Sequence, residues 1–405
     1  MKLRNKRRYI ALGGLLMLIG MVAVSVFMPS VEEDVVFRIP DWKVKSVYAN
    51  DEDTRMITGD VPIGVVVALT GKHAEAYGFA MQRGFELARE EINNAGDVNL
   101  TFITVDDQSS VDGAKEAVRH LAARGVSAIV GLAISTHLKE AAPIAQQHRV
   151  IAFSSVSSAA GLSAIGDFIF RTSLATNISI PSGLTATQQK LGYKKVALIY
   201  DEIDVYSINS NEVLRRALEA NGVEILITET FQTGDTDLTR QLTNIVAAKP
   251  DALFVSALSQ EIAQTVAQTS VVGVPDSIDL IVPDLTMNEV RKAGDAAEGA
   301  IGFIGWSTMS DARGNQSFVQ NYRAKYGIQP EPWAAQSYAT LYVLANAIKI
   351  AQSSDAAAIR DALAQTKDFP TILGKSGAFS FNPDGDALYD QIIMVVKDGE
   401  LQFFE

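Results

Sequence analysis

Between Val150 and Leu162 the chain reads VIAFSSVSSAAGL, in which four residues of strand character run into four hydroxyls, Ser154, Ser155, Ser157 and Ser158. A second pair, Ser135 and Thr136, ends the preceding apolar run in GLAIST (131–136). Capping explains such residues one at a time, since Ser or Thr at a helix N-cap is worth about 1 kcal/mol. It does not account for the whole cluster. Sequential parallel strands usually lie side by side, so both clusters would sit together with two helix N-termini behind them. Hydroxyls, free N–H donors and helix dipoles in one place favour a carboxylate. Asp284, in IVPDLTMNEV (281–290), ends a later apolar run. Its ordinary fate is a cap or a solvated carboxylate; facing an anion site it supplies the counter-charge of an ammonium. Together the two poles suit a zwitterionic α-amino acid. Tyr77 in AEAYGFAMQRG (74–84) precedes a helical pattern, and Tyr206 in YDEIDVYSINS (200–210) lies in a loop at the equivalent place of the second half. Each ring either packs on its own surface or turns its amphipathic face toward a shared cleft.

No catalytic constellation competes with this reading. The histidines are His73, His120, His137 and His148, and none pairs in the sequence with a nucleophile. The chain has no GxSxG, HExxH, Walker loop or GxGxxG after a strand. The two acids of GDTDLTRQL (234–242) form a capping pattern at a helix start rather than a metal site. There are no cysteines, which excludes disulfides, thiolate metal sites and a lipid-modified N-terminal Cys. The formal net charge of −12 argues against a nucleic-acid partner, because phosphate binding needs a basic surface. The expectation is a binding protein without catalytic residues, cofactor or metal ion.

The elements that must position these residues follow from periodicity. Apolar runs at 63–69, 100–105, 127–133, 149–153, 195–200, 223–228, 251–257 and 279–282 read as strands. Helical spacing fills the gaps at 80–96, 111–124, 136–147, 179–190, 209–221, 236–248 and 260–272. Such alternation indicates parallel sheets covered on both faces by helices. The rhythm breaks at FRTSLATN near 170–180, which divides the strands four and four into two doubly wound α/β lobes. Helices at 314–326, 334–351 and 355–366 follow, then a closing strand pair, SGAFSFNPDGDAL and YDQIIMVVKDGELQFF, the latter turning at Asp398-Gly399. In open α/β sheets ligands bind beyond the carboxyl ends of the strands. Two facing lobes make a cleft able to close.

The N-terminus carries an export signal. Lys2, Arg4, Lys6, Arg7 and Arg8 precede an uncharged run from Tyr9 to Met28, about the length that spans a bilayer. The expectation is an uncleaved anchor over 9–28, with a cleaved signal peptide as the alternative, because VAVSVFMPS makes a poor cleavage site. Residues 29–60 read as a tether, and the remainder is expected on the extracytoplasmic face of the membrane.

Several phrases resemble the periplasmic solute-binding proteins of ABC importers, branched-chain (Leu/Ile/Val) amino acid type: AYGFAMQRGFELAREEINNAGD (76–97), GDAAEGAIG (294–302), FVQNYRAKYGIQPEPWAAQSYAT (318–340) and LGKSGAFSFNPDGD (373–386). The resemblance implies two Rossmann-like lobes joined by three hinge crossings, residues 61–175 with 305–387 and residues 176–304 with 388–405. It implies a carboxylate held by Ser135 and Ser158 with backbone from Val156 or Ser157, an amine held by Asp284, and flanking rings at Tyr77, Tyr206 and Trp333. It also implies an amino acid as ligand, ABC permease subunits as partners and no enzymatic activity. A ligand-sensing domain for amides or small carboxylates, acting through a membrane partner, is the alternative on the same fold. The chain departs from the family pattern at Ser207, where a Gly is usual, and at His137 and Leu138, where small polar residues are common.

Overall fold

The computed structural model describes residues 59–404. The expected anchor over 9–28 and all but the end of the tether lie outside the described residues. Among the described residues no helix is long and apolar enough to cross a membrane.

The first sheet holds β1 (Asp60–Val67), β2 (Asn99–Asp106), β3 (Ala128–Gly131), β4 (Ile151–Ser154) and β5 (Ile169–Arg171) in the order β2-β1-β3-β4-β5. All its pairings are parallel. Between these strands run α1 (Phe79–Ala95), α2 (Val111–Ala123) and α3 (Ser135–His148). Strand alternation sends Val65 and Val130 to one face and Val66 and Ile129 to the other, so the sheet is buried on both sides. As the sequence predicts, α1 stops at Gly96, which takes a left-handed φ of 80°.

After α4 (Thr176–Leu191) the pattern repeats through β6 (Lys195–Asp201), α5 (Val205–Ala220), β7 (Glu224–Phe231), α6 (Thr239–Ala248), β8 (Ala252–Ser256), α7 (Ser259–Val272), β9 (Asp279–Pro283), α8 (Met287–Ala293) and β10 (Ile301–Ile304). Its parallel strands run β7-β6-β8-β9-β10, the same winding as the first sheet. The chain then returns through α9 (Asn315–Tyr326), α10 (Pro332–Ala351) and α11 (Ala356–Ala364). A small antiparallel sheet of β11 (Phe369–Pro370), β12 (Ala378–Phe381) and β13 (Ala387–Leu388) follows. Finally β14 (Ile392–Lys397) and β15 (Glu400–Phe403) extend the second sheet antiparallel to β10, turning at Asp398-Gly399 with both φ positive (53° and 72°).

Two expectations need correction. The sheets do not hold four strands each: β5 and β10 make each parallel set five. Both were hidden in the sequence, β5 because it is three residues long and ends in an arginine, and β10 because it lies in the glycine-rich run GAIGFIG. The closing segments do not form one strand pair either. The first folds as β12 and β13 in the small sheet, and only the second joins the large one.

Helices α9 and α10 pack back against the first sheet's lobe. A Cβ on Gly84 of α1 would stand 2.2 Å from the Ala334 carbonyl oxygen, so glycine permits the close α1–α10 approach. The buried Glu91 carboxylate fastens the same layer, accepting from Tyr338 (2.5 Å), Tyr342 (2.8 Å) and Asn321 (2.8 Å).

Arg171, at the end of β5, is fully buried and pairs with Asp386 of the β12–β13 turn. Its Nε also donates to Ser163 Oγ (2.9 Å) and its Nη1 to the carbonyls of Ala159 (2.6 Å) and Ser157 (3.3 Å). One guanidinium thus ties the serine-rich loop after β4 to the small sheet. Removing one member of a buried ion pair costs about 3–5 kcal/mol, because the other charge is left uncompensated. Asp386→Asn should lose that much stability in a denaturant titration; a loss under about 1 kcal/mol would show that the pair does not brace the loop.

Candidate functional site

Six strand-to-helix connections at the carboxyl ends of strands converge between the two sheets. From the first lobe come the connections after β1 (Tyr77), β3 (Ala133, Ile134, Ser135) and β4 (Val156, Ser157, Ser158); from the second, those after β6 (Tyr206), β8 (Ala257, Leu258, Ser259) and β9 (Asp284). Trp333, at the start of α10, closes one end. All eight residues singled out from the sequence, Tyr77, Ser135, Val156, Ser157, Ser158, Tyr206, Asp284 and Trp333, line this one cavity. It encloses about 390 Å3, open solvent at its mouth included.

The serine cluster divides into scaffold and site. Ser154 Oγ donates to the Leu132 carbonyl (2.9 Å), and Ser155 Oγ accepts from Thr340 (3.0 Å). Ser157 Oγ donates to the carbonyls of Leu132 (2.7 Å) and Ala133 (3.0 Å), while its N–H is held by Ser154 Oγ (3.2 Å). Ser157 therefore lines the cavity with its polar groups already engaged, and is corrected from donor to brace. Ser158 is the member whose hydroxyl meets no partner among the described residues; its carbonyl accepts from the Thr176 N–H (2.8 Å). Ser135 opens α3, whose N-cap, Ile134, offers no side chain to the first-turn donors. The expected second helix N-terminus behind Ser158 is absent: residues 155–162 form a loop, and α4 begins only at Thr176.

The opposite wall is acidic. Asp284 follows Pro283 of β9 at φ 64°, a left-handed conformation uncommon for a non-glycine residue. Its N–H donates to the Phe303 carbonyl (3.2 Å), which fixes this turn against β10. Burial raises the Asp284 pKa to about 6, opposed by the Tyr206 hydroxyl and reinforced by Glu289. Glu289 is itself buried, with its pKa raised by burial, and accepts from Ser259, from the Thr286 hydroxyl and from the Thr286 N–H (2.7 Å). Thr286 and Glu289 close a capping box at the start of α8. Asp204 adds a third carboxylate, held by Thr136 and Ser207. Hydroxyls and amides, not cations, are the partners of these acids, so the wall keeps an electric field suited to an ammonium.

The rings join the lobes. Tyr77 lies in a π-type turn over Ala74–Gly78 that leads into α1, and its Oη accepts from the Ser259 N–H at the start of α7 (2.9 Å). Its ring packs against Trp333 at 5.6 Å between centroids, and His73 stands edge-on behind it at 6.0 Å. Burial, with Lys72 nearby, lowers the His73 pKa to about 4, so this imidazole is uncharged at pH 7. Thr136 does not cap α3: its hydroxyl donates to Asp204 (2.9 Å) and accepts from the Val205 N–H (3.1 Å) across the cleft. Tyr206 sits in the first turn of α5, not in a loop, because Asp204 is the N-cap, accepting from the Ser207 N–H at 2.9 Å. The Tyr206 hydroxyl is buried beside Asp284 and Ser210, and the Trp333 indole N–H is buried without a hydrogen-bond partner among the described residues. Sequence reasoning missed Ser259 and Leu258. The run SALSQE (256–261) after β8 echoes GLAIST after β3, and that repeat was the available signal. Among the described residues no group of three or more His, Asp or Glu side chains stands ready to hold a metal ion.

Residues 60–400 match the periplasmic binding protein family. The chain belongs to that family. It is 24% identical over 335 residues to the Leu/Ile/Val-binding protein homolog 1 of Brucella abortus (strain 2308), covering 81% of this chain and 87% of the Brucella protein. Among solved structures it is similar to the branched-chain amino acid transporter substrate-binding protein LivJ of Streptococcus pneumoniae in complex with isoleucine. That likeness has a TM-score of 0.77 and 28% identity over 85% of this chain and 98% of the other. The leucine-binding protein LivK of Thermotoga maritima shares the fold at a TM-score of 0.78 and 24% identity, over 85% and 98% of the two chains. The fold is the type I periplasmic binding protein fold, and membership implies an extracytoplasmic location.

Placing Asp284 on the acidic wall of this periplasmic binding protein gives its pH behaviour a sign. Without ligand, raising the pH from 3.8 through about 6 ionises a carboxyl that burial disfavours, and stability falls across that window. The ionised form is the one that pairs with an ammonium. Amino-acid affinity should therefore rise about tenfold between roughly pH 5 and 7 and then level off. Asp284→Asn should abolish the rise and weaken binding at pH 7 by about 2–5 kcal/mol. Isothermal titration across this range reads both effects, and a flat wild-type profile would remove Asp284 from the ammonium site.

Proposed function

We propose that the chain is the substrate-binding protein of an ABC-type amino acid importer, capturing a neutral α-amino acid between its lobes and presenting it to the permease subunits. The observation that carries this is the polarity of the cavity: an uncommitted Ser158 hydroxyl and the open first turn of α3 on one side, and Asp284 on the other. A carboxylate and an ammonium on one α-carbon fit these poles, and binding without chemistry is all the site requires. The branched-chain ligands in the names of the Brucella and S. pneumoniae proteins support an amino acid of the neutral class. In this reading residues 61–175 with 305–387 move as one lobe and 176–304 with 388–405 as the other. The apolar run at 9–28 tethers the protein to the membrane beside its permease.

A thermal-shift screen of the full chain, held in detergent for its apolar N-terminal run, tests the proposal. A ligand at 100 times its Kd should stabilise by about 2.7 kcal/mol. Ser158→Ala should weaken that ligand ten- to a hundredfold, since hydrogen bonds to charged groups are worth about 1.5–3 kcal/mol, and should leave the unliganded melting temperature nearly unchanged. Ser154→Ala should do the reverse. A complete amino-acid screen without a shift, or a ligand recovered chemically altered, would sink the proposal.

A further inference from the structure

A second cavity, of about 300 Å3 with its open solvent, adjoins the first and shares Val156, Ser158, Asp284 and Trp333 with it. It reaches away from Tyr77 and Leu258 to the place where the chain crosses between the sheets after β10 and before β14. Its far end is polar, lined by Gln336 on α10 and by Tyr389 and Gln391 just before β14. Among the described residues, Gln336 Oε1, both polar atoms of Gln391 and Trp333 Nε1 are buried there without a hydrogen-bond partner, and the Tyr389 hydroxyl lies beside Gln336 and the Leu174 backbone. Gln336 is 4% exposed and Trp333 7%. Buried donors and acceptors are nearly always paired, so a cluster of unpaired ones marks a place shaped for a polar guest. Gly305 keeps the space open: a Cβ there would stand 2.5 Å from Tyr389 Oη and 3.2 Å from Gln336 Nε2.

The chemistry of the guest follows from what the chamber offers. Gln391 presents a donor and an acceptor whichever way its amide is turned, Tyr389 serves as either, Gln336 accepts and the Trp333 indole donates. Among the described residues no lysine, arginine or histidine lines the chamber, so an anionic tail would find no counter-charge. Asp284, at the junction, is the one carboxylate in the lining and is taken by the ligand ammonium, so a cationic tail would find none either. An aliphatic tail would bury these polar atoms dry. A site built to hydrogen-bond its substrate rejects an analogue that lacks the matching group far more strongly than an apolar pocket rejects a polar one.

We propose that the chamber between Gln336, Tyr389 and Gln391 is the side-chain subsite, and that it selects α-amino acids whose side chain ends in a neutral carboxamide or ureido group over branched aliphatic ones. The inference rests on the amino-acid-binding reading above and narrows it.

The test is isothermal titration of the full chain in detergent with L-glutamine, L-citrulline, L-leucine and L-isoleucine, on the wild type, Tyr389→Phe and the Tyr389→Phe/Gln391→Leu double variant. The wild type should bind glutamine or citrulline at least tenfold more tightly than leucine. The double variant should lose at least tenfold for the amide ligand while holding or gaining affinity for leucine, with Tyr389→Phe between them. Tighter binding of leucine or isoleucine by the wild type overturns the inference alone, as does a preference that both variants leave unchanged. No binding of any amino acid overturns the functional reading and this inference with it. If the double variant does not fold, the wild-type ratio and the single variant decide.

Discussion

The buried Arg171–Asp386 pair is the constraint on which the geometry of the cavity depends. A loop with three serines in five residues has no hydrophobic reason to hold one shape. It holds one because a fully desolvated guanidinium reaches the Ser157 and Ala159 carbonyls from below while Asp386 balances its charge. Arginine suits this role: its planar fork of donors serves several acceptors at once and stays charged when buried. The pair also joins residues 215 positions apart, so the site loop is braced by a segment that lies beyond the second parallel sheet in the chain.

Charge then organises the cavity asymmetrically. The first lobe contributes hydroxyls, a helix N-terminus and carbonyls stopped by other serines; the second contributes Asp284, Glu289 and Asp204. The acidic wall is tolerable without ligand because Glu289 and Asp204 are satisfied by neutral donors, while Asp284 sits at a pKa near 6, between two protonation states at mildly acidic pH. Neutral partners relieve the desolvation of a carboxylate without cancelling its attraction for a cation.

Much of this was legible in the sequence, for physical reasons that differ by feature. Strand–helix alternation is a strong signal because parallel strands are buried on both faces, and the long strands and helices stood where periodicity put them. Short or glycine-rich strands such as β5 and β10 carry too few residues to show a period, and their place in the sheet is decided by tertiary pairing. The lining residues were found because the carboxyl ends of parallel strands are where such sheets expose polar groups to a ligand, and Ser158, Tyr206 and Asp284 all lie within a few residues of one. What each does was less legible. The hydroxyls of Ser154, Ser155, Ser157 and Ser158 look alike in sequence, and only the positions of the Leu132, Ala133 and Thr340 partners separate braces from a free donor. The polar chamber was invisible because Gln336, Tyr389 and Gln391 come from segments far apart in the chain and carry no motif.

The hydrogen bond from the Ser259 N–H to Tyr77 Oη and the bridge from Thr136 to Asp204 are made by residues of the cavity wall and its rim, yet neither needs a guest. They contribute to closure in their own right. Apparent affinity in a two-state binder is the intrinsic affinity divided by the penalty of populating the competent form. Loosening these two bonds would therefore weaken capture of every guest by a common factor, leaving the ranking among guests untouched. The strength with which the cavity is held shut and the choice among guests are thus partly separable, because the Thr136–Asp204 bridge lies outside the lining that a guest would meet.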